Sequence, residues 1–394
     1  MAVITGLDII KERKPLAEEL TGNVGYLAHA ASVDSTLTHG IYTMKTLFAN
    51  RFTKIFSPQH GLVGDVQDNM IESDHYHHPF FDLPIYSLYS ETRKPTGKML
   101  TGLDHVIVDL QDVGTRIYTY IYTLTYMMEA CGAQGIQVVV LDRPNPINGM
   151  TLEGNMLDLK FQSFVGRHPL PVRHGMTIGE IAQMAREQWG IDCDLKVIPM
   201  EGWERFMYYE DTGLAWVMPS PNLATVEAAV TFPGTVLFEG TNISEGRGTT
   251  RSLEIIGHPS IEPYGMLSSL STLFKVCELE GFVLRPVNFI PTFQKHRGVS
   301  CGGYQIHVTD RQKFRPWKVG QLLCQSLYQQ LQENFKWKNP PYEYEYEILP
   351  IDILNGSDKL RLWVEQSGSF GRLLEIEKSD WGDFLQKRAQ VLLY

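Results

Sequence analysis

A chain of 394 residues is too long for one small core and, at roughly 150 residues per domain, suggests two. Its composition, 43% apolar and 20% charged, is that of a globular protein able to bury a core. The formal net charge of −10 argues against a nucleic-acid backbone as the main partner, because phosphate binding needs a basic surface, yet it leaves room for a local cationic pocket.

The first residues, MAVITGLDIIKERKPLAEEL, lack the basic stretch followed by an apolar stretch that export requires. The chain as written is therefore expected in the cytoplasm; a trimmed leader would instead mean a periplasmic or secreted protein. No apolar run approaches the roughly 20 residues of a membrane span, so membrane insertion is not expected. Candidate strands follow at Val24–Ala28, Lys54–Phe56, His105–Asp109 and Gln137–Leu141, with helix-like stretches at Gly40–Asn50 and Ile117–Cys131 between them. That alternation marks a parallel sheet. Three of the strands run into polar, Gly- or Pro-containing sequence: SPQHG after Phe56, LQDVGTR after Asp109 and DRPNPING after Leu141. Ligands of open α/β sheets bind at the carboxyl ends of the strands, so three such loops in succession point to one site.

The stretch from Arg143 to Gly149 reads as the end of that domain. A helix then begins at Thr177, which forms a capping box with Glu180 ahead of Ile178, Ile181, Ala185 and Trp189. Later strands are expected at Leu195–Ile198, Val236–Glu239, Tyr304–Val308 and Tyr342–Leu349, and a final helix from about Trp381 to Leu393. The expected fold class is α/β in residues 1–160 followed by an α+β domain in residues 161–394, which covers the strand-end face of the first. The five cysteines form no C-x-x-C pair and lie far apart, so neither a zinc ribbon nor a disulfide framework is indicated.

The densest chemical constellation is GTVLFEGTNISEGRGTTRSLE, which places Glu239, Asn242, Glu245, Arg247 and Arg251 among glycines. Glycines let backbone N–H groups approach a ligand closely, and arginine forks grip carboxylate or phosphate; the alternative is a turn whose ion pairs satisfy one another. A second group, SPQHGLVGDVQDNMIES, carries Gln59, His60, Asp65, Gln67, Asp68, Asn69 and Glu72. His60 suits proton transfer or sugar-hydroxyl binding. DLQDVGTRIYTY carries Asp109, Gln111, Asp112, Arg116 and Tyr118; its two carboxylates could hold a proton, a metal or sugar hydroxyls, although Asp112 equally suits a helix cap, and Tyr118 could stack on a sugar ring. Arg143 and Asn145 form a fourth group, with Arg143 either binding an anion or pairing with Asp142. The cluster Asp74, His75, His77, His78 lacks the i, i+4 spacing of a zinc helix, so no metal is expected. G-x-S-x-G and G-x-G-x-x-G are both absent, which lowers the case for an α/β hydrolase or a nicotinamide cofactor; no cofactor is expected.

Taken together, SPQHG, DLQDVGTRIYTY, VVLDRPNPING, RHGMTIGE, MPSPNL and FPGTVLFEGTNISEGRGTT resemble the bacterial exo-β-N-acetylmuramidases, in the same order along the chain. The resemblance implies a Rossmann-like N-terminal domain, a C-terminal α+β domain and an active site in the cleft between them. It further implies hydrolysis releasing N-acetylmuramic acid from the non-reducing end of peptidoglycan fragments, so the expected partner is an amino sugar or muropeptide fragment. Arg247, Arg143 or Arg116 would clamp the lactyl carboxylate, and a neutral carboxyl would protonate the leaving oxygen. Many members read P-E-H-G where this chain has Pro58-Gln59-His60-Gly61, and a glutamine cannot donate that proton. Either Glu72 or Glu245 then acts as the acid, or this branch takes another sugar, or it binds or senses a sugar without cleaving it. A phosphosugar hydrolase or transferase using the Gly/Arg loop is a third reading.

Overall fold

Apolar runs with no polar face are what a sheet covered on both sides requires, and the central strands have them. The computed structural model describes residues 2–68 and 70–394. β1 (Val24–Ala28), β2 (Phe52–Ser57), β3 (Tyr76–His78), β4 (Leu83–Ser87), β5 (His105–Asp109), β6 (Gln137–Leu141) and β7 (Leu195–Ile198) form one sheet in the order β3-β4-β2-β1-β5-β6-β7. All neighbours pair in parallel except β3, which runs antiparallel to β4 at the edge. Alternate residues sort to the two faces. Ile107 and Val139 pack with Leu7, Ile10, Ile41 and Met44, whereas Val106, Val108, Val138 and Val140 pack with Tyr122, Ile178 and Ile181. The fold is thus the expected α/β, Rossmann-like arrangement, with the strand Leu195–Ile198 drawn into the first sheet beyond residue 160.

The helix Ile178–Glu187 starts as expected. Thr177 Oγ1 accepts the Glu180 N–H at 3.2 Å, and the Glu180 carboxylate accepts the Thr177 N–H at 3.0 Å. The helix expected from Ile117 begins at Tyr120 and runs to Gly132.

β8 (Ile255–His258), β9 (Phe282–Phe289) and β10 (Cys301–Val308) make a second, antiparallel sheet in the order β8-β10-β9. Helices Pro263–Val276 and Pro316–Leu331 accompany it, giving the α+β half. Two strand expectations fail there. Val236–Glu239 lies in a short 3-10 helix, Val236–Gly240, that continues the Thr225-capped helix Val226–Thr235. It is buried all round, and a short apolar run does not distinguish strand from buried helix. Tyr342–Leu349 is no strand either. Tyr342 and Glu345 exchange both backbone hydrogen bonds at 2.9 Å around a tight turn, with Glu343 and Tyr344 at φ 45° and 69°.

One apolar cluster runs from Leu27 and Tyr122 of the first half through to Trp317 and Leu360 of the second. The closing helix Trp381–Ala389 docks back on the first half: Arg388 donates to the Gly175 carbonyl at 2.8 Å, and the Leu393 N–H donates to Glu180 at 2.9 Å. The Tyr394 hydroxyl donates to Asp142 at 2.8 Å. Among the described residues, no helix is long and apolar enough to cross a membrane.

Candidate active site

β2 ends at Ser57, and the chain turns sharply at His60, whose φ of 72° is left-handed. That turn buries Gln59 and His60 side by side. The Thr119 hydroxyl donates to Gln59 Oε1 at 2.9 Å, which leaves the amide N–H groups of Gln59 to bond Glu343. Nδ1 of His60 lies 2.8 Å from the Val66 carbonyl, so it carries the proton, and Nε2 accepts from Ser220 Oγ at 3.1 Å. Burial, with Arg247 opposing further charge, pulls His60 down to about 4, so the ring is neutral near pH 7.

The second half supplies the carboxylates. The 3-10 turn delivers Glu239, which accepts from Arg247 and from the Tyr342 hydroxyl at 2.7 Å. Glu245 is 2% exposed, lies 2.8 Å from Lys295 Nζ and 3.0 Å from Arg247 Nε. Burial opposes its ionisation, but the two cations outweigh burial and hold its pKa below the usual carboxylate range. Glu343 behaves in the opposite way. It accepts the Tyr89 hydroxyl at 3.0 Å, and burial together with the nearby Glu239 pushes it up to about 7. Two carboxyl groups in one cluster are therefore pushed apart in acidity, the usual signature of acid and base assignments.

Two cavities meet at Glu239. The larger, about 450 Å³, is lined by Asp68, Asn242, Glu245, Gln294, Lys295 and Lys338 among others, and falls within the roughly 300–1,000 Å³ of small-molecule sites. The inner one, about 50 Å³, is lined by Gln59, His60, Tyr118, Thr119, Ser220, Arg247, Tyr342 and Glu343.

Residues 24–227 match the family model described as exo-beta-N-acetylmuramidase NamZ, N-terminal, and residues 230–394 match its C-terminal counterpart. The chain belongs to the NamZ family. The peptidoglycan beta-N-acetylmuramidase NamZ of Bacillus subtilis (strain 168) is 39% identical over 394 residues, covering 100% of this chain and 91% of that protein. Two crystal structures of DUF1343 family proteins from Bacteroides fragilis NCTC 9343 are also similar. One has a TM-score of 0.88 at 28% identity and the other 0.73 at 27%, each covering 100% of this chain and 99% of the other. As a member of the NamZ family the chain is a glycosidase, with the two-part architecture that the resemblance implied.

In this NamZ-family chain the geometry divides the residues expected from sequence. Gln59, His60, Tyr118, Glu239 and Arg247 meet at the inner pocket, and Asn242 and Glu245 line the larger cleft. The others lie elsewhere. Asp109 is fully buried in an ion pair with Arg143 and accepts the Tyr26 hydroxyl at 2.6 Å, so the Arg143 guanidinium pairs with Asp109 and not with Asp142. Gln111 donates to the Asp112 and Pro144 carbonyls, both at 2.8 Å, and Asn145 to the Met176 carbonyl at 2.9 Å. Asp112 accepts the Gly114 N–H at 2.7 Å within its own turn and does not cap the following helix, whose cap is Thr119. Arg116, 0% exposed, donates to four backbone carbonyls and is a brace, not a lactyl clamp. The first part of the loop after β5 and the loop after β6 are thus knitted to one another beneath the site, while the loop after β2 and the Ile117–Thr119 end of the loop after β5 open into it.

Neither carboxylate expected to replace the family acid is placed to donate a proton. Glu245 is held ionised. Glu72 is exposed, paired with Arg93 at 3.3 Å and bonded by the Tyr344 hydroxyl at 3.0 Å. The glycines also serve another purpose: a Cβ on Gly248 would lie 2.8 Å from the Thr292 and Phe293 nitrogens, so it lets the loop seat against the segment carrying Lys295 rather than against a ligand. His75 and His78 accept backbone N–H groups through Nδ1. Asn69 lies outside the described residues. Sequence reasoning missed Ser220, Lys295, Lys338, Tyr342 and Glu343. Ser220 sits inside the MPSPNL motif, and the alternation of YEYEYE predicts a strand, which hides the inward-facing glutamate.

Proposed function

We propose that this chain hydrolyses the glycosidic bond of a terminal N-acetylmuramic acid, releasing it from the non-reducing end of peptidoglycan fragments. The observation that carries the proposal is the pairing of a sugar-sized cleft with a cluster whose carboxyl groups differ in charge, Glu245 ionised and Glu343 neutral below about pH 7. Glycoside cleavage asks for that division of labour. The activity named for the Bacillus subtilis relative, similar along this whole chain, supports the same reading. Glu239, lining both cavities, is the candidate second carboxylate, with the substrate's own acetamido oxygen as the other source of a nucleophile. Because Arg247 is committed to Glu239 and Glu245, the lactyl carboxylate is assigned to the exposed Lys338 at the cleft mouth.

The test is release of chromophore from 4-nitrophenyl β-N-acetylmuramide with the β-N-acetylglucosaminide alongside. Turnover confined to the muramide is expected. Turnover of neither by folded protein would remove the muramidase reading, and preference for the glucosaminide would reassign the sugar.

A further inference from the structure

Resting on that reading, we infer that Glu343 is the proton donor, the group that hands a hydrogen to the glycosidic oxygen as the sugar leaves. Four features place it there. The residue is 4% exposed and lines the inner pocket beside Glu239. It also lines an outer groove of about 590 Å³ walled by Arg93, Tyr126, Phe164, Arg167 and Tyr344. A donor in an exo-acting glycosidase must stand between the released sugar and its leaving group, and Glu343 stands between the outer groove and the inner pocket, which Glu239 joins to the sugar-sized cleft.

The third feature is its partners. Glu239 and Glu245 each hold an ion pair, whereas among the described residues no lysine, arginine or histidine forms one with Glu343. It accepts from the Tyr89 hydroxyl and the Gln59 amide, which orient the carboxyl and, with Arg93, favour its charge, but less than burial and Glu239 oppose it. Burial and the Glu239 charge favour its neutral form, which is the form a donor needs. The fourth is the turn that carries it. Tyr342, its neighbour, bonds Glu239, so one tight turn fixes the distance between donor and second carboxylate.

The step balances simply. The C1–O bond breaks with its electron pair going to the leaving oxygen, which takes the Glu343 proton. Water adds its hydroxyl to C1, and its remaining proton returns to the carboxylate cluster or to solvent.

Kinetics of Glu343→Gln on two substrates test the assignment: a muramyl disaccharide, whose sugar leaving group needs protonation, and 4-nitrophenyl β-N-acetylmuramide, whose phenolate leaves with little help. The disaccharide rate is expected to fall about 10²–10⁴-fold, the range of general acid catalysis, and the aryl rate less than about tenfold. The fall in wild-type disaccharide activity as pH rises through about 7 should vanish in the variant. Equal losses on both substrates, or no loss, would overturn the assignment. If Glu343→Gln folds poorly, Glu343→Asp is read the same way: a larger loss on the disaccharide supports the donor role, and equal losses overturn it. Wild-type protein inactive on both substrates would instead overturn the muramidase reading, so the two failures are distinguishable.

Discussion

Lys338 stands exposed at the cleft mouth with its ammonium 5.5 Å from the centre of the Tyr342 ring. A muramic sugar differs from N-acetylglucosamine by a lactyl carboxylate, so a cation there should separate the two. Lys338→Ala is expected to raise KM a few-fold for the muramide and to leave the glucosaminide unchanged, on the scale of an exposed ion pair at about 0.2–1 kcal/mol. Equal shifts for both sugars would end the clamp assignment. At this scale the sequence was readable where residue type and spacing carry chemistry on their own, as with Gln59, His60, Glu239 and Arg247. It misled where a charged residue has a partner far along the chain. Arg143 finds Asp109 and not Asp142, and Glu245 finds Lys295. Lone lysines such as Lys295 and Lys338 leave no local pattern at all.

Single elements hold the site in place through their ends. The short helix Pro350–Asn355 finishes with carbonyls that no further turn can satisfy, and Arg116 takes Leu354 at 3.3 Å and Asn355 at 2.8 Å. The same guanidinium takes the Asn155 and Leu170 carbonyls at 2.8 and 2.9 Å, so one side chain braces elements of both halves. Arg116→Met should therefore cost about 3 kcal/mol in urea unfolding, because four buried carbonyls each lose a donor together. A loss under about 1 kcal/mol would mean that water replaces the guanidinium. The sheet strands and the Thr177 capping box were legible because their signals are local and periodic. The Val236–Gly240 and Tyr342–Glu345 segments were not, since their conformations are set by packing and by paired left-handed residues, neither of which alternation of residue type reports.

For the whole molecule, the shifted carboxyls are one part of how stability depends on pH. Burial raises both Glu343 and Asp142 to about 7. A carboxyl with a raised value contributes its full stability below the ordinary carboxylate range and loses it as pH rises towards 7. Glu245, with a lowered value, acts in the other direction and loses its contribution only in acid. Buried histidines such as His60, held below the ordinary histidine value, work against this trend below about pH 6.5, so the cleaner expectation is a difference: the melting temperature of Glu343→Gln, which cannot ionise, should gain on that of wild type between pH 5 and pH 8. Parallel curves for the two proteins would show that Glu343 carries no such penalty. The docking of the last residues on the first half has a further consequence for how the chain is made. Synthesis runs from the amino end, so the sheet emerges long before Arg388, Leu393 and Tyr394 do. Until they arrive, Asp142 and Glu180 each lack one of their hydrogen-bond donors and rely on those from Thr177, Gly179 and Arg205. The shared apolar cluster can thus join the halves before the closing helix adds its own contacts to the first.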